Sequence, residues 1–199
     1  MPRPRQFDPQ VLLEGAMHIF WEKGYEATSI RDIVEKTGVN QFGIYSIYGD
    51  KQGLFLAVLD HYRDNIVSDV FGIVERPDAS IGAIRDYFMA LVERHTVILP
   101  ALGCLMVNSM AECGLENAEI GQRTRMHTDR LRTGFMKALA NAQRNGEIRP
   151  DLNIDETANY LVVSAQGLAV NSRIYPDRVP LETFAVTTLS ILDTPSKAG

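Results

Sequence analysis

The sequence has little cysteine and no long apolar run. Only Cys104 and Cys113 occur among its 199 residues, too few for a disulfide scaffold and without the clustered His/Cys spacing of a zinc site. No stretch approaches the roughly 18 consecutive apolar residues of a membrane span. Residues 1–10 are basic but are not followed by the apolar run of a signal peptide. We therefore expect a cytoplasmic protein with no metal, no cofactor and no membrane partner.

Positive charge is also scarce. The chain has 20 Lys and Arg residues against 25 Asp and Glu, a formal net charge of -5 at pH 7. Non-specific binding to nucleic acid depends on neutralising phosphates, so this balance excludes a protein that coats nucleic acid indiscriminately. Any contact with DNA must depend on well-placed side chains, on helix N-termini and on an N-terminal arm that carries Arg3 and Arg5.

Sustained alternation of apolar and polar residues is absent, and apolar residues instead recur at helical spacing, which predicts an all-α fold. Capping residues and glycines delimit three short helices near the N-terminus, the last two joined by a glycine turn as in a helix-turn-helix. The residues that mark these helices are Asp8 with Pro9 and Gly24, Ser29 with Asp32 and Gly38, and Asn40.

A long fourth helix is predicted from Asp50 to about Val74, where the sequence Arg76-Pro77-Asp78 ends it. It connects a helix-turn-helix domain, residues 1–52, to a larger helical domain, residues 53–199. Further helices are expected at residues 81–98, 101–113, 117–144, 155–174 and 181–192. The last two are apolar nearly all round, more than a single core face requires, which predicts a homodimer built on them.

One face of the predicted third helix carries small polar and aromatic side chains. If Val39, Ile44 and Tyr48 pack inwards, about 100° per residue leaves the opposite face exposed. That face holds Gln41, Phe42, Tyr45 and Ser46. Such groups can contact phosphates, base edges and a thymine methyl, and the missing side chain of Gly43 lets a phosphate or groove wall approach. The face therefore predicts an interface with double-stranded DNA.

Residues 28–54, TSIRDIVEKTGVNQFGIYSIYGDKQGL, resemble the DNA-binding segment of the TetR family of bacterial transcriptional regulators. The T-S-I-R-D-I core, the T-G-V-N turn, the I-Y pair and G-D-K all fall in register, while Val34, Thr37 and Ile47 depart from the usual pattern. The resemblance implies that Tyr45 and Lys51 hold phosphates and that Arg31 can reach a base. The predicted DNA-binding residues are Thr28, Ser29, Arg31, Gln41, Phe42, Gly43, Tyr45, Ser46 and Lys51.

The resemblance further implies a ligand-responsive repressor that binds a palindromic operator as a dimer and is released by an unknown small molecule or an electrophile. The larger domain would then bind the ligand and dimerise. Its segment G-C-L-M-V-N, residues 103–108, is similar to one branch of the family in which some members sense oxidants or electrophiles through a cysteine. The predicted ligand or sensing residues are Tyr62, Tyr87, Cys104 and Asn108.

Other interpretations remain open at this point. Cys104 could be a small core residue, because free cysteine is among the most buried residue types. An enzyme with Cys104 as nucleophile would need a histidine beside it in space, and the scattered histidines show no catalytic or metal-binding spacing. A helical interaction module would instead use the exposed Phe42 and Tyr45 to bind a protein.

Overall fold

The computed structural model describes residues 7–193, which form α-helices and no strand. Within this range the all-α prediction is confirmed. Arg3, Arg5 and residues 194–199 lie outside the described residues. The helices are α1 (Pro9–Lys23), α2 (Ile30–Thr37), α3 (Gln41–Tyr48), α4 (Lys51–Tyr62), α5 (Ser68–Glu75), α6 (Ile81–Glu93), α7 (Leu105–Cys113), α8 (Ala118–Arg144), α9 (Ile154–Asn171) and α10 (Arg178–Leu189).

Side-chain caps begin the first four helices where the sequence predicts them. The carboxylate of Asp8 accepts a hydrogen bond from the Gln10 amide at the start of α1. Ser29 and Asp32 form the reciprocal capping box of α2. Each cap satisfies amides that the first turn of a helix leaves unpaired. Two further caps are the side chain of Asn40, which accepts from Gly43 N at 2.8 Å, and that of Asp50, which accepts from Gly53 N at 2.7 Å.

The first four helices share one part of the core. α1 packs against α2 and α4, and α3 packs against α2 and α4. The rings of Phe20 and Phe55 lie 4.7 Å apart between α1 and α4, and the ring of Tyr25 packs on Phe55 at 4.8 Å. The side chain of Ile44 is fully buried and holds α3 against this core. The outer face of α3 is thereby turned away from the protein.

The long fourth helix is confirmed, with one feature that the sequence did not predict. After α4 the chain continues through a π-helical turn, Arg63–Val67, into α5, so that helical backbone runs from Lys51 to Glu75. A second π-helical turn, Arg94–Ile98, extends α6. Such turns are rare and often lie at functional sites.

The predicted start of the helix at residues 101–113, which is α7 in the structure, is wrong. Helix α7 begins at Leu105 rather than at Ala101, and Cys104 occupies its N-cap position. Ala101 and Gly103 have φ values of 62° and 65°, left-handed conformations that a right-handed helix cannot include. Cys104 therefore precedes α7, whereas Cys113 is its last residue. Both cysteines are free and buried.

Helices α5 to α10 build the larger part of the molecule, where α8 packs along α9, α7 and α5. α9 ends at Asn171 instead of residue 174, and α10 starts at Arg178, three residues before the predicted start. A short 3₁₀ turn, Ser190–Leu192, follows α10. The arginine-rich stretch of α8 is largely ion-paired: Arg123 contacts Asp60, and Arg130 contacts Glu75. None of the described helices is long and apolar enough to cross a membrane.

Candidate DNA-reading surface and ligand cavity

The outer face of α3 is open to solvent. Phe42 is 84% exposed, and Gln41 and Ser46 are exposed beside it. The hydroxyl of Ser46 donates to the carbonyl of Gly43 at 2.8 Å, a contact within the helix that leaves its oxygen free to accept. Tyr45 is half-buried and packs against the core with part of its ring. This face presents an apolar ring between polar groups, a combination suited to the edges of bases.

Gly43 has a structural role that the sequence did not reveal. A Cβ placed there would lie 3.0 Å from Cε1 of Phe7 and 3.2 Å from Cγ1 of Val39, tighter than nearly all real contacts. The missing side chain therefore makes room for Phe7, which packs against the core at the start of α1. The space that the missing side chain of Gly43 leaves is therefore occupied at least in part by Phe7 of the protein itself.

Of the DNA-binding residues predicted at the start of α2, some make contacts within the protein and one points to solvent. Thr28 is buried, and its hydroxyl donates to the carbonyl of Gly24 at 2.6 Å, so the side chain fixes the loop rather than facing solvent. The hydroxyl of Ser29 donates to Asp32 at 2.7 Å. Hydrogen bonds from Lys23 and Ser29 hold the pKa of the Asp32 carboxyl well below its usual range. Arg31 points outwards, paired with Glu35 at 2.8 Å.

Lys51 lies at the first position of α4 and reaches back to the loop that leads into α2. Its Nζ donates to the carbonyl of Glu26 at 3.2 Å and stands 4.5 Å above the ring of Tyr25. These contacts fix the ammonium group near the N-terminus of α2, where backbone amides also favour an anion. The arrangement is suited to one phosphate group.

A cavity lies between α4, α5, α6, α7, α8 and α9. It has a volume of about 40 Å3 and is bordered by three of the predicted ligand residues, Tyr62, Tyr87 and Cys104. The hydroxyl of Tyr62 donates to Sγ of Cys104 at 3.6 Å, and Nε2 of His127 lies 3.9 Å from the same sulfur. Burial raises the pKa of the Cys104 thiol, which favours the neutral thiol over the reactive thiolate.

Four polar cavity residues were not singled out from the sequence: Arg94, His95, His127 and Gln166. His95 and His127 are buried, and burial lowers the pKa of each imidazole to about 4, with a further contribution from the neighbouring Arg94 or Arg130. Both rings are therefore neutral near pH 7. They lie far apart in the chain, so no local spacing could have revealed that they border one cavity.

Asn108 does not border this cavity. Its side-chain amide donates to the carbonyl of Leu102 at 3.0 Å, and it lines a separate surface pocket between α1 and α7. The indole N–H of Trp21 donates to the same carbonyl, also at 3.0 Å. The structure thus groups Tyr62, Tyr87 and Cys104 around one cavity and places Asn108 behind the loop that leads to Cys104.

Two contacts join the cavity region to the first helices. The ring of Trp21, on α1, meets the ring of Tyr62 edge-on at 4.9 Å. The carboxylate of Glu112, on α7, accepts hydrogen bonds from the amides of Tyr25 and Glu26 at 3.0 and 2.9 Å. Gly24 permits the second contact, because it has φ 86° and a Cβ there would lie 2.8 Å from the Glu112 oxygens. Neither contact could be inferred from local sequence.

Within residues 7–193, no three His, Cys, Asp or Glu side chains come together as a metal-binding group. Cys104 and His127 approach each other, yet no third ligand joins them in this range.

Similar proteins cover nearly the whole chain. It is 31% identical over 190 residues to the HTH-type transcriptional repressor ComR of Escherichia coli K12, a match that spans 95% of this chain and 90% of ComR. It is 26% identical to the HTH-type transcriptional repressor DhaR of Mycobacterium sp. GP1, with 92% and 91% covered. A solved structure of the regulator CifR, a cysteine mutant complexed with operator DNA, matches the fold with a TM-score of 0.86 at 22% identity, covering 96% of this chain and 100% of that one.

The structure combines a helix-turn-helix that has one helix exposed with a set of later helices that enclose a cavity. This combination is typical of regulators that bind DNA with one part and a ligand with the other. A family described as "Bacterial regulatory proteins, tetR family" matches residues 12–58, and "Tetracyclin repressor-like, C-terminal domain" matches residues 79–188. The chain belongs to the TetR family and is a helix-turn-helix transcriptional regulator. Members of this family are DNA-binding regulators and not enzymes, so the interpretation of Cys104 as a catalytic nucleophile is dropped.

Proposed function

We propose that this regulator is a dimeric repressor that binds a palindromic operator in double-stranded DNA through α3 and releases it when a small molecule occupies the cavity. Residues 1–52 would bind DNA in the cytoplasm, and residues 53–199 would bind the ligand and dimerise. The observation that carries the proposal is the solvent-facing side of α3, held by a fully buried Ile44 on its opposite side. The repressor ComR, which resembles the chain over nearly its full length, supports it.

Each predicted DNA-binding residue has a role that fits its placement. Tyr45, Lys51 and the α2 start with Ser29 would hold phosphates, while Gln41, Phe42 and Ser46 would contact base edges. The hydroxyl of Thr28 keeps the loop in shape, and Gly43 packs on Phe7. Arg31 must leave Glu35 to reach a base, which costs little because both side chains of this ion pair are exposed to solvent.

The proposed dimer surface is the exposed apolar face of α9 and α10. Val163 is 66% exposed on α9 and Val179 is 74% exposed on α10, far more than is usual for valine. Further exposed apolar residues on and beside these helices are Tyr160, Val170, Ile174, Tyr175, Phe184 and Val186. A two-fold axis through this face would pair the helices of two copies into a four-helix bundle and set two α3 helices about 34 Å apart.

Two routes connect the cavity to α3. The helical path through α4 carries Phe55 against α1 at one end and Tyr62 at the cavity at the other. The second route runs through α7: Cys104 borders the cavity at its start, and Glu112 near its end holds the loop that precedes α2. A ligand that enlarges the cavity would displace one or both routes. To change the operator from nearly all bound to nearly all free, it must favour the released state by about 5.5 kcal/mol.

The raised pKa of Cys104 favours a non-covalent ligand over an electrophile as the signal. A sensing cysteine would need to react as the thiolate. The neighbouring Tyr62 hydroxyl could stabilise that thiolate by donating a hydrogen bond, and the His127 ring could receive the proton of the thiol. Release by an oxidant or electrophile from the native protein but not from Cys104→Ser would identify Cys104 as the sensor. We expect the variant to respond as the native protein does.

The decisive test is binding to duplex DNA from upstream of the chain's own gene, measured at several salt concentrations. Sequence-selective binding that weakens with salt supports the proposal. Tyr45→Phe should weaken binding to all sequences, whereas Gln41→Ala should change base preference. Absence of binding even at low salt would contradict the proposal, and binding to a protein partner instead would favour an interaction module that uses Phe42 and Tyr45.

A further inference from the structure

Several polar atoms that border the cavity lack hydrogen-bond partners. Within the described residues, Nε of Arg94, both ring nitrogens of His95 and Nδ1 of His127 are buried without a hydrogen bond. Most buried polar groups in folded proteins have a partner, and each one left without a partner destabilises the fold. Several such groups around one cavity indicate that a bound molecule supplies the missing partners.

Arg94 is the most informative of these groups because it is charged. Other arginines nearby are paired with carboxylates, as Arg123 is with Asp60 and Arg130 with Glu75. Arg94 makes no ion pair within residues 7–193, and the residues that border the cavity in this range include neither Asp nor Glu. A guanidinium group keeps its charge in a protein, so its environment cannot neutralise it by removing a proton.

The rest of the cavity is apolar or neutral. Val70, Phe71, Leu91 and Leu131 supply apolar walls, and the phenols of Tyr62 and Tyr87 lie within range of the charge of Arg94. The two neutral imidazoles can each donate one N–H. A site with one cation, several neutral donors and apolar walls is complementary to a molecule with one anionic head and an apolar body.

We propose that the cavity binds a small organic carboxylate, with the carboxylate held by Arg94 and His95 and the apolar part lying among Phe71, Leu91 and Leu131. The inference rests on the proposed function in taking this cavity as the ligand site. The planar guanidinium matches a carboxylate with two parallel hydrogen bonds, which adds specificity over a point charge.

The volume of the cavity limits the size of this ligand. About 40 Å3 accommodates roughly three water molecules, enough for a carboxylate group and the start of a short chain. A longer or aromatic acid must push the walls apart. Ligand binding and a displacement of α4 or α7 are therefore coupled, as a switch requires.

The test measures binding to the free protein, with no DNA present. Sodium butyrate and sodium benzoate are titrated, with butyramide as the uncharged analogue and sodium chloride at matched ionic strength as the salt control. The chain has 4 histidines, so their ring protons are followed individually by NMR, with His95→Gln and His127→Gln to assign the two cavity signals. The signal of His18, which is exposed on α1 and does not border the cavity, reports non-specific effects.

We expect butyrate or benzoate to shift the His95 and His127 signals selectively, and butyrate to bind at least about tenfold more tightly than butyramide, as a charge-assisted hydrogen bond predicts. Arg94→Gln should weaken carboxylate binding by about tenfold or more. Arg125→Gln, at an exposed arginine on the same protein, should leave it unchanged. The acid and amide comparison uses the unchanged protein, so it holds even if the Arg94 variant folds poorly.

Equal binding of butyrate and butyramide, or full carboxylate binding by a folded Arg94→Gln variant, would overturn the inference. So would the absence of selective shifts at about 50 mM of either acid, well above the millimolar range of weak ligands. The operator experiment is separate: a protein that binds DNA but no carboxylate disproves only the ligand class, and one that binds carboxylate but no DNA disproves only the proposed function.

Discussion

Burial affects the arginine and the two histidines of the cavity in different ways. His95 and His127 respond to burial by losing the proton, so both are neutral near pH 7. Arg94 cannot do so, because a guanidinium group keeps its charge in a protein, and it stays charged beside apolar walls. Its Nε is buried without a hydrogen bond, which lowers the stability of the fold.

The histidines predict a loss of stability in weak acid. Both folded-state pKa values, about 4, lie below the ordinary value of 6.5, so between these values the unfolded chain binds protons that the folded chain does not. The free energy of unfolding should therefore fall as the pH is lowered through this window, by about 1.4 kcal/mol per pH unit for each histidine.

Urea unfolding at a series of pH values measures this loss. His127→Gln, which cannot be protonated, should remove about half of the slope, and His18→Gln, at an exposed position on α1, should not change it. An unfolding free energy that is constant from pH 6.5 to about 4 would show that the imidazoles are not buried as neutral groups.

The two cysteines should react slowly in the native protein. Burial raises the pKa of Cys104, and burial with the nearby Glu112 raises that of Cys113 to about 11, so little thiolate is present near pH 7. Alkylation by iodoacetamide, followed by mass spectrometry of each peptide, should be at least about tenfold slower than in urea. Rapid alkylation of Cys104 in the native state, with Cys113 still protected, would restore the electrophile-sensing interpretation.

At the scale of single elements, the sequence was sufficient wherever the deciding chemistry is local. The N-caps Asp8, Ser29 and Asn40 each act on amides two or three residues away, so their side chains alone predict where α1, α2 and α3 begin. The start of α7 was misplaced because apolar composition continues through residues 101–104 while the backbone turns left-handed at Ala101 and Gly103. The π-helical turns left no local signal.

Glu112 connects α7 to the loop before α2, and this connection can be tested directly. Its carboxylate accepts from the amides of Tyr25 and Glu26, and no other acceptor is bonded to these amides within the described residues. Glu112→Ala should lower the free energy of unfolding by about 1–2 kcal/mol, because two amides lose a charged acceptor. Hydrogen exchange of these two amides should become faster.

Glu116→Ala is the matched control, since Glu116 is an exposed carboxylate just after α7. It should change neither the unfolding midpoint nor the exchange of Tyr25 and Glu26. If Glu112→Ala were as stable as the control, α7 would not hold the loop before α2, and transmission from the cavity would depend on α4 alone.

At the scale of the whole molecule, the cavity is the part that local sequence could not predict. Family resemblance and side-chain type identify Tyr62, Tyr87 and Cys104 as candidates. His95 and His127 have no catalytic or metal-binding spacing in the sequence that would single them out. Their meeting depends on how α8 packs against α5 and α6, which is a long-range property. The same holds for Leu102, whose carbonyl joins Trp21 to Asn108.

The number of phosphates that the assembled protein neutralises tests both the dimer and the role of Lys51. Each phosphate contact contributes about -0.9 to the slope of log K against log salt concentration, so a dimer with one Lys51 contact in each half-site loses two such contributions. The slope for Lys51→Ala should be less steep than that of the native protein by about 2, whereas Gln41→Ala, which removes no charge, should keep the native slope. A difference near 1 would mean that one subunit alone engages DNA through Lys51. An unchanged slope would mean that the ammonium group, held by Glu26 and Tyr25, stays on the protein and does not reach a phosphate.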